Sequence, residues 1–313
     1  MSNAYLFRRQ LWYTRPMNKN ITSPTVLKAL MEKYHVSPLK RFGQNFLIDG
    51  NIADNIAKAA VPEGACALEI GPGMGALTSR LLERTQVTAA YEIDSGLSDA
   101  LRDMFADEPR FHLFHQDFLK ADLVKDLSHI YENKDIYVAA NLPYYITSPC
   151  IMKLVEAKLN IVSITVMVQK EVAERLCAKP GGKDYGAITA AVSYFAQPKL
   201  LFNVSAGCFY PKPDVASAVV QLNVIRDKKK SDADSYLKTV KGLFAMRRKT
   251  VKSNLRQSFG LSAELAERVL KEAEIDENAR AEMLSVSQFM QLSMILKKYN
   301  DFFYSSAGEK DFM

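Results

Sequence analysis

The sequence predicts an α/β fold, a mostly parallel sheet with an antiparallel edge hairpin, followed by a small all-α C-terminal domain. Three observations lead there. Strand-like runs alternate with helix-like ones from residue 51 to about 175, the signature of a parallel sheet covered by helices. Two strand-like runs then follow one another, at 198–205 and 215–225, with only turn residues between them. Beyond a charged break at 226–235 the pattern is helical alone.

Each element has its own signal. The strand candidates are "ACALEI" (65–70), "QVTAAYEI" (86–93), "RFHLFH" (110–115), "DIYVAA" (135–140) and "IVSITVMVQ" (161–169). Between them "GALTSRLLERT", "SGLSDALRDMF" and "SPCIMKLVEAK" carry apolar residues at helical spacing. The edge hairpin pairs "PKLLFNVS" with "VASAVVQLNVI", joined by "AGCFYPKPD", whose Pro211 and Pro213 are excluded from a central strand. The terminal helices are "YLKTVKGLFAM", "TVKSNLRQSF", "LSAELAERVLKEA" and "VSQFMQLSMILKKY", and no internal repeat is present.

A chain of 313 residues, 48% hydrophobic and 24% charged, is ordinary for a globular protein with a sizeable core. Its longest apolar runs are too short to cross a bilayer, and no stretch has the pattern of a secretory signal, so a cytoplasmic location is expected. Cys66, Cys150, Cys177 and Cys208 lie far apart, without a C-x-x-C pair or a histidine at ligand spacing, so reduced thiols rather than a metal site are expected. The net charge of +6 is concentrated: from Asn223 to Gly260 eleven Lys or Arg stand against three Asp. The first 31 residues contain five basic residues and no acidic one, but no convincing apolar face, which favours a disordered leader over an address.

"LEIGPGMGALT" places Gly71, Gly73 and Gly75 where the first strand of the alternating region turns into a helix. Glycines let the backbone pass close to a ligand, and the helix start offers unpaired N–H groups. The same residues satisfy a relaxed dinucleotide fingerprint, so the turn alone leaves a hydride carrier open. Glu92, 21 residues after Gly71, is placed to take ribose hydroxyls, and Asp117, in "HQDFLK", to accept from an adenine amino group. One adenosine-containing ligand across these strand ends accounts for all three. Glu69, inside the turn region, suits the cationic S-adenosylmethionine better than a pyrophosphate.

The deciding stretch is "NLPYY", Asn141–Tyr145, where the fourth of these strands ends. An amine conjugated to a purine is a poor nucleophile because its lone pair is delocalised. The side-chain oxygen of Asn141 and the backbone carbonyl of Leu142 can accept from its hydrogens and free that lone pair for attack on a methyl group. Pro143 stiffens the turn by fixing φ, and Tyr144 can lie flat on the base, a stack worth roughly 1–3 kcal/mol. Tyr145 is assigned no role from the sequence, and its ring is expected to pack beneath the loop.

The set "KRFGQNFL" (40–47), "LEIGPGMGALT" (68–78), "YEID" (91–94), "QDFL" (116–119), "NLPYYITSP" (141–149), "FYPKPDVASAVV" (209–220) and "FAMRRKTVKSNL" (244–255) resembles the ribosomal RNA adenine N6-dimethyltransferases of the KsgA type, and within them the bacterial small-subunit enzymes. The likeness runs in order over roughly residues 24 to 300. It implies a Rossmann-like class I methyltransferase fold and S-adenosyl-L-methionine as cofactor, held by Gln44, Asn45, Leu47, Gly71, Glu92, Asp117 and Asn141, to which the glycine turn adds Glu69 and Gly73. It also implies that Tyr144 and Phe209 sandwich the target adenine. By their residues alone, "QNFL" reads as a loop before a helix capped by Asp49 or Asn51, and Phe209 as a core residue. Tyr145 departs from the Asn often found there in the family, at a variable place.

The resemblance further implies dimethylation of two adjacent adenosines in the 3'-terminal hairpin loop of 16S rRNA, within the small ribosomal subunit or its precursor; a monomer without membrane association is expected. In "FAMRRKTVKSNLRQSF", Phe244, Val251, Leu255 and Phe259 form an apolar stripe beside Arg248, Lys252 and Arg256, which recur every four residues. With Arg247 and Lys249 they are expected to hold RNA by its phosphates. The expected organisation is a basic leader at 1–23, a methyltransferase domain at 24–225 and a helical RNA-binding domain at 226–313. Three other readings stay open: a large-subunit rRNA methyltransferase of the macrolide-resistance type, a dehydrogenase, and a ribosome-assembly factor acting mainly by binding.

Overall fold

The computed structural model describes residues 21–38, 43–225 and 230–299. The leader through residue 20, Lys40 to Phe42 of "KRFGQNFL", and the charge run from Arg226 to Lys229 lie outside the described residues. Two compact packing units are present: residues up to Pro143 together with Val204–Ala216, and Tyr144–Asn203 together with residues from Ser217 onward.

In the first unit the elements are α1 (Pro24–Lys33), β1 (Phe46–Leu47), α2 (Gly50–Ala60), β2 (Cys66–Ile70), α3 (Ala76–Leu82), β3 (Val87–Glu92), α4 (Ser95–Met104), β4 (Phe111–His115), α5 (Leu123–Tyr131) and β5 (Ile136–Asn141). Strands β4, β3, β2 and β5 lie side by side in that order, all pairs parallel. The register aligns their carboxyl ends: Ile70 stands opposite Tyr91 and Ala140, and Glu92 opposite His115. Every residue of β2 is buried, as a strand covered on both faces must be. The last described strand here, β8 (Phe209–Tyr210), pairs antiparallel with β1, Phe46 against Tyr210 and Leu47 against Phe209.

That two-stranded ladder is a correction to the sequence reading, in which both segments are loops. Two residues per strand and prolines beside one of them leave no alternation to detect. Asp49 does cap α2, accepting from the Asn51 and Ile52 amides at 2.9 and 3.2 Å. Helix α1 secures β1 from the other side: Leu27 packs in one cluster with Phe46, Met74 and Leu97.

The second unit contains α6 (Thr147–Val155), β6 (Ile161–Gln169), α7 (Lys170–Leu176), α8 (Ala187–Phe195), β7 (Ala196–Val204), β9 (Ser217–Val224), α9 (Lys230–Phe244), α10 (Val251–Phe259), α11 (Ala263–Glu272) and α12 (Val286–Lys298). Strand β9 lies between β6 and β7 and runs antiparallel to β6, Val166 opposite Val220, which supplies the antiparallel part of the expected sheet. Helix α8 is not singled out by periodicity because "AITAAVSYF" is apolar almost all round and mostly buried. Tyr194 of α8 stacks on Tyr236 of α9 at 4.3 Å between ring centroids, and the Tyr236 hydroxyl donates to the Ala190 carbonyl at 2.8 Å. Among the described residues no helix is long and apolar enough to cross a membrane.

The parallel strands are tied together from outside the sheet by one hydroxyl. Tyr131, at the end of α5, is 1% exposed; its OH donates to the Ala67 carbonyl of β2 and accepts from the Ala89 amide of β3 at 3.3 Å. Tyr131→Phe leaves that amide buried without this partner, a cost of about 1–3 kcal/mol. A lowered urea midpoint with unchanged circular dichroism is expected; an unchanged midpoint would show that the hydroxyl contributes nothing.

Candidate active site

The site is built at the aligned carboxyl ends of β2, β3, β4 and β5. Gly71, Gly73 and Gly75 all take positive φ, +67°, +59° and +82°. Two of these have a further reason to lack a side chain: a Cβ on Gly73 would lie 3.2 Å from the Phe46 ring, and one on Gly75 only 2.9 Å from Phe105. The turn is held to β3, because the Gly71 amide donates to the Tyr91 carbonyl at 2.9 Å and the Gly73 amide to Glu92 Oε2 at 3.1 Å. The second Glu92 oxygen accepts from the Asp94 amide at 3.0 Å, above the start of α4.

Both turn-region carboxylates are buried, Glu92 at 4% exposure and Glu69 at 1%. Burial pushes Glu92 up to about 7, against the pull of backbone donors from Asp94, Gly73 and Ile93. Burial pushes Glu69 up to about 8, with the neighbouring Thr78 hydroxyl pulling it down and the nearby charge of Glu92 adding to the rise. Glu69 Oε2 has no hydrogen-bond partner among the described residues. A buried carboxylate with an orphaned oxygen is costly unless a cation or donor joins it.

Asp117 follows the end of β4 and caps a short 3-10 turn, its Oδ1 accepting from the Leu119 amide at 2.9 Å. Asn141 closes β5. Its Nδ2 donates to the Asn45 carbonyl at 3.1 Å, and Asn45 Nδ2 in turn donates to the Gly43 carbonyl at 3.1 Å. With the amide nitrogen committed as donor, the other end of the Asn141 side chain is an acceptor. The Asn141 backbone carbonyl lies 4.0 Å from where a Gly71 Cβ would be, so the glycine turn and the end of β5 adjoin.

The structure thus gathers Asn45, Leu47, Gly71, Gly73, Glu92 and Asn141 from distant parts of the sequence, with Gln44 next to Asn45 in the same loop and Glu69 beneath the turn. Leu142 is buried, and Phe209, in β8, is 3% exposed. Tyr144 is half-buried, its hydroxyl 3.1 Å from the Ser217 hydroxyl. Tyr145 corrects its expectation: at 57% exposure it does not pack beneath the loop. Sequence reasoning passes over Ile93, 42% exposed directly after Glu92. An exposed branched apolar side chain at a strand end is the signal that could have found it, since it offers a flat ligand a dry surface beside the carboxylate.

The basic region differs from its expectation. Arg247, Arg248 and Lys249 stand in a turn between α9 and α10, so the four-residue recurrence survives only for Lys252 and Arg256. Thr250 ends the turn by capping α10, and buried Asn254 holds it shut: its Oδ1 accepts from the Met246 amide while its Nδ2 donates to the Met246 and Thr250 carbonyls. Lys252 is engaged by Glu267 at 2.7 Å and Glu277 at 2.8 Å, so its charge is matched within the protein. Arg248, Lys249 and Arg256 are exposed.

Comparison with known proteins adds the decisive observation: the model of the family described as ribosomal RNA adenine dimethylase matches residues 37–298. The chain belongs to the ribosomal RNA adenine dimethylase family. It is similar to "Ribosomal RNA small subunit methyltransferase A" of Alkaliphilus oremlandii, 41% identical with 89% of this chain and 98% of that protein covered. It is 42% identical to the protein of that name from a Geobacillus species, over 90% and 99%. Among solved structures, a dimethyladenosine transferase from Plasmodium falciparum matches in fold with a TM-score of 0.68 at 24% identity, over 81% of this chain and 98% of that one. The 23S rRNA methyltransferase ErmE matches with a TM-score of 0.61 at 25% identity, over 81% and 100%.

Membership makes the chain an S-adenosylmethionine-dependent methyltransferase with a Rossmann-like fold. The residues present fit that cofactor. The orphaned oxygen of Glu69 suits a cationic ligand, and the side-chain-free approach over Gly71 leaves room at the turn.

The two raised carboxyls give the unliganded protein a defined pH response. Unfolded glutamates titrate near 4.5, so between about pH 4.5 and 8 these two groups hold more protons in the folded chain than in the unfolded one, and their contribution to stability falls as pH rises, levelling off above. Glu69→Gln removes the larger contributor. Its thermal midpoint should decline less steeply than wild type between about pH 5 and 8; an identical decline would show that Glu69 is not buried in its charged form.

Proposed function

We propose that the enzyme dimethylates N6 of two adjacent adenosines in the 3'-terminal hairpin loop of 16S rRNA, in the small ribosomal subunit or its precursor, as a cytoplasmic monomer. The observation that supports this reading is the Asn141 amide, whose nitrogen donates to the Asn45 carbonyl and leaves its oxygen as an acceptor at the end of β5. The names of relatives about 40% identical over nearly their whole length support the substrate.

In this reading the cofactor is held by Gln44, Asn45, Leu47, Glu69, Gly71, Gly73, Glu92, Asp117 and Asn141, and Ile93 contacts its adenine. When bound, S-adenosylmethionine supplies a methyl group on an electrophilic sulfonium. Asn141 Oδ1 and the Leu142 carbonyl accept from the target amine and draw its nitrogen toward tetrahedral geometry. Pro143 keeps that carbonyl in place, and Tyr144 and Phe209 hold the purine. No dedicated general base is needed, because the proton passes to solvent after attack and the rate comes from positioning. Residues 24–225 form the methyltransferase part and 226–313 the RNA-binding part, with 1–23 as leader. Arg247, Arg248, Lys249 and Arg256 contact phosphates; Lys252 serves through its carboxylate partners rather than as an unpaired cation.

The assay is labelled-methyl transfer to undermethylated small subunits, with large subunits alongside and the product nucleoside identified. N6,N6-dimethyladenosine in the small-subunit rRNA alone is expected; label in the large subunit would reassign the enzyme. Asn141→Ala should abolish transfer while keeping most RNA affinity, and an equal loss of both would remove the acceptor role.

A further inference from the structure

A second basic element stands beside the turn at 247–249. The loop "AKPGGKDYG" (178–186) leads into α8 and exposes Lys179 and Lys183. Its shape is set by its own backbone: the Gly182 amide donates to the Lys179 carbonyl at 3.0 Å, the Tyr185 amide to the Gly182 carbonyl at 3.1 Å, and Gly181 takes φ +81°. Tyr185 is 2% exposed and anchors the loop's end near Phe244, the last residue of α9, at 6.4 Å between ring centroids.

Two further links fix the loop beside the basic turn. The Gly181 amide donates to the Glu282 carbonyl at 2.8 Å. The Arg247 guanidinium reaches across, its Nη2 donating to the Lys183 carbonyl at 3.4 Å and its Nε 3.9 Å from the Glu282 carboxylate. Arg247 therefore joins two basic segments as much as it offers charge. Among the described residues Lys179, Lys183, Arg248 and Lys249 have no ion pair, in contrast to Lys252. Four unmatched cations on neighbouring, backbone-braced segments outnumber the one carboxylate of the loop, Asp184, and raise the local potential, a state that an anionic polymer relieves.

We propose that the loop at 179–183 is a second phosphate-contacting element, continuous with the turn at 247–249, and that the two together grip the sugar-phosphate backbone of folded RNA. The proposal rests on rRNA being the substrate. The exposed side chains that the two segments offer are cations rather than aromatic rings, chemistry that suits phosphates over bases. The loop then contributes affinity without selecting sequence.

The test is the salt dependence of binding to undermethylated small subunits, measured for wild type, Lys179→Gln/Lys183→Gln and Lys179→Arg/Lys183→Arg. Binding of S-adenosylmethionine and the thermal midpoint are followed alongside. The Gln pair should weaken binding and flatten the plot of log K against log salt by roughly one to two units, whereas the Arg pair keeps the wild-type slope. A Gln-pair slope equal to wild type overturns the proposal, as does an Arg pair as weak as the Gln pair. Methyl transfer by the same wild-type sample separates the two levels: transfer with an unchanged Gln-pair slope removes the surface alone, and a flattened slope without transfer removes the methylation reading alone.

Discussion

The Asn141 side chain donating to the Asn45 carbonyl is the contact on which the rest of the site depends. It ties the end of a central parallel strand to a segment almost a hundred residues earlier. That segment is short, two residues of strand, and is stable only because it is held on several sides. Tyr210 and Phe209 pair with it, Leu27 and Met74 pack on it, and the Phe46 ring covers Gly73. One hydrogen bond thereby relates the glycine turn, the strand-end amide and the segment bearing Phe209. For the acceptor role proposed for Asn141 the consequence is preorganisation: an amide already held by Asn45 does not have to be oriented during methyl transfer.

The acidic side of the site follows a different logic. Glu69 and Glu92 are buried at a cost visible in their raised proton affinities, and Glu92 is partly compensated by two backbone amides. In the proposed reading a cationic ligand beside Glu69 offsets that penalty, and part of the binding energy comes from relieving it.

Much of this was legible in the residues, and the part that was not has identifiable physical causes. Long runs such as "IVSITVMVQ" carry enough pattern that the strand matches residue for residue, Ile161–Gln169. Glycines, strand-end acids and the "NLPY" group mark their positions because their chemistry is unusual where strands stop. The β1–β8 ladder was hidden, since pairing between two dipeptides about 160 residues apart leaves no periodicity. The basic stretch misled for the opposite reason: charges every four residues imitate a helix, while Thr250 and Asn254 cap and close a turn in its middle. Nor does a lysine's partner show in sequence. Lys252 is neutralised by Glu267 and Glu277, whereas Lys179 and Lys183 keep their charge among the described residues.

The central claim is that Asn141 works through an amide oriented by Asn45, beyond offering an oxygen. Asn141→Asp keeps acceptor oxygens at the same place and loses the donor to the Asn45 carbonyl. Single-turnover methyl transfer with saturating cofactor and small subunits separates the two ideas. If the Asn45 contact orients the amide, the rate falls by about 10²-fold or more, the scale of losing one oriented polar group in an active site. A rate close to wild type would contradict it.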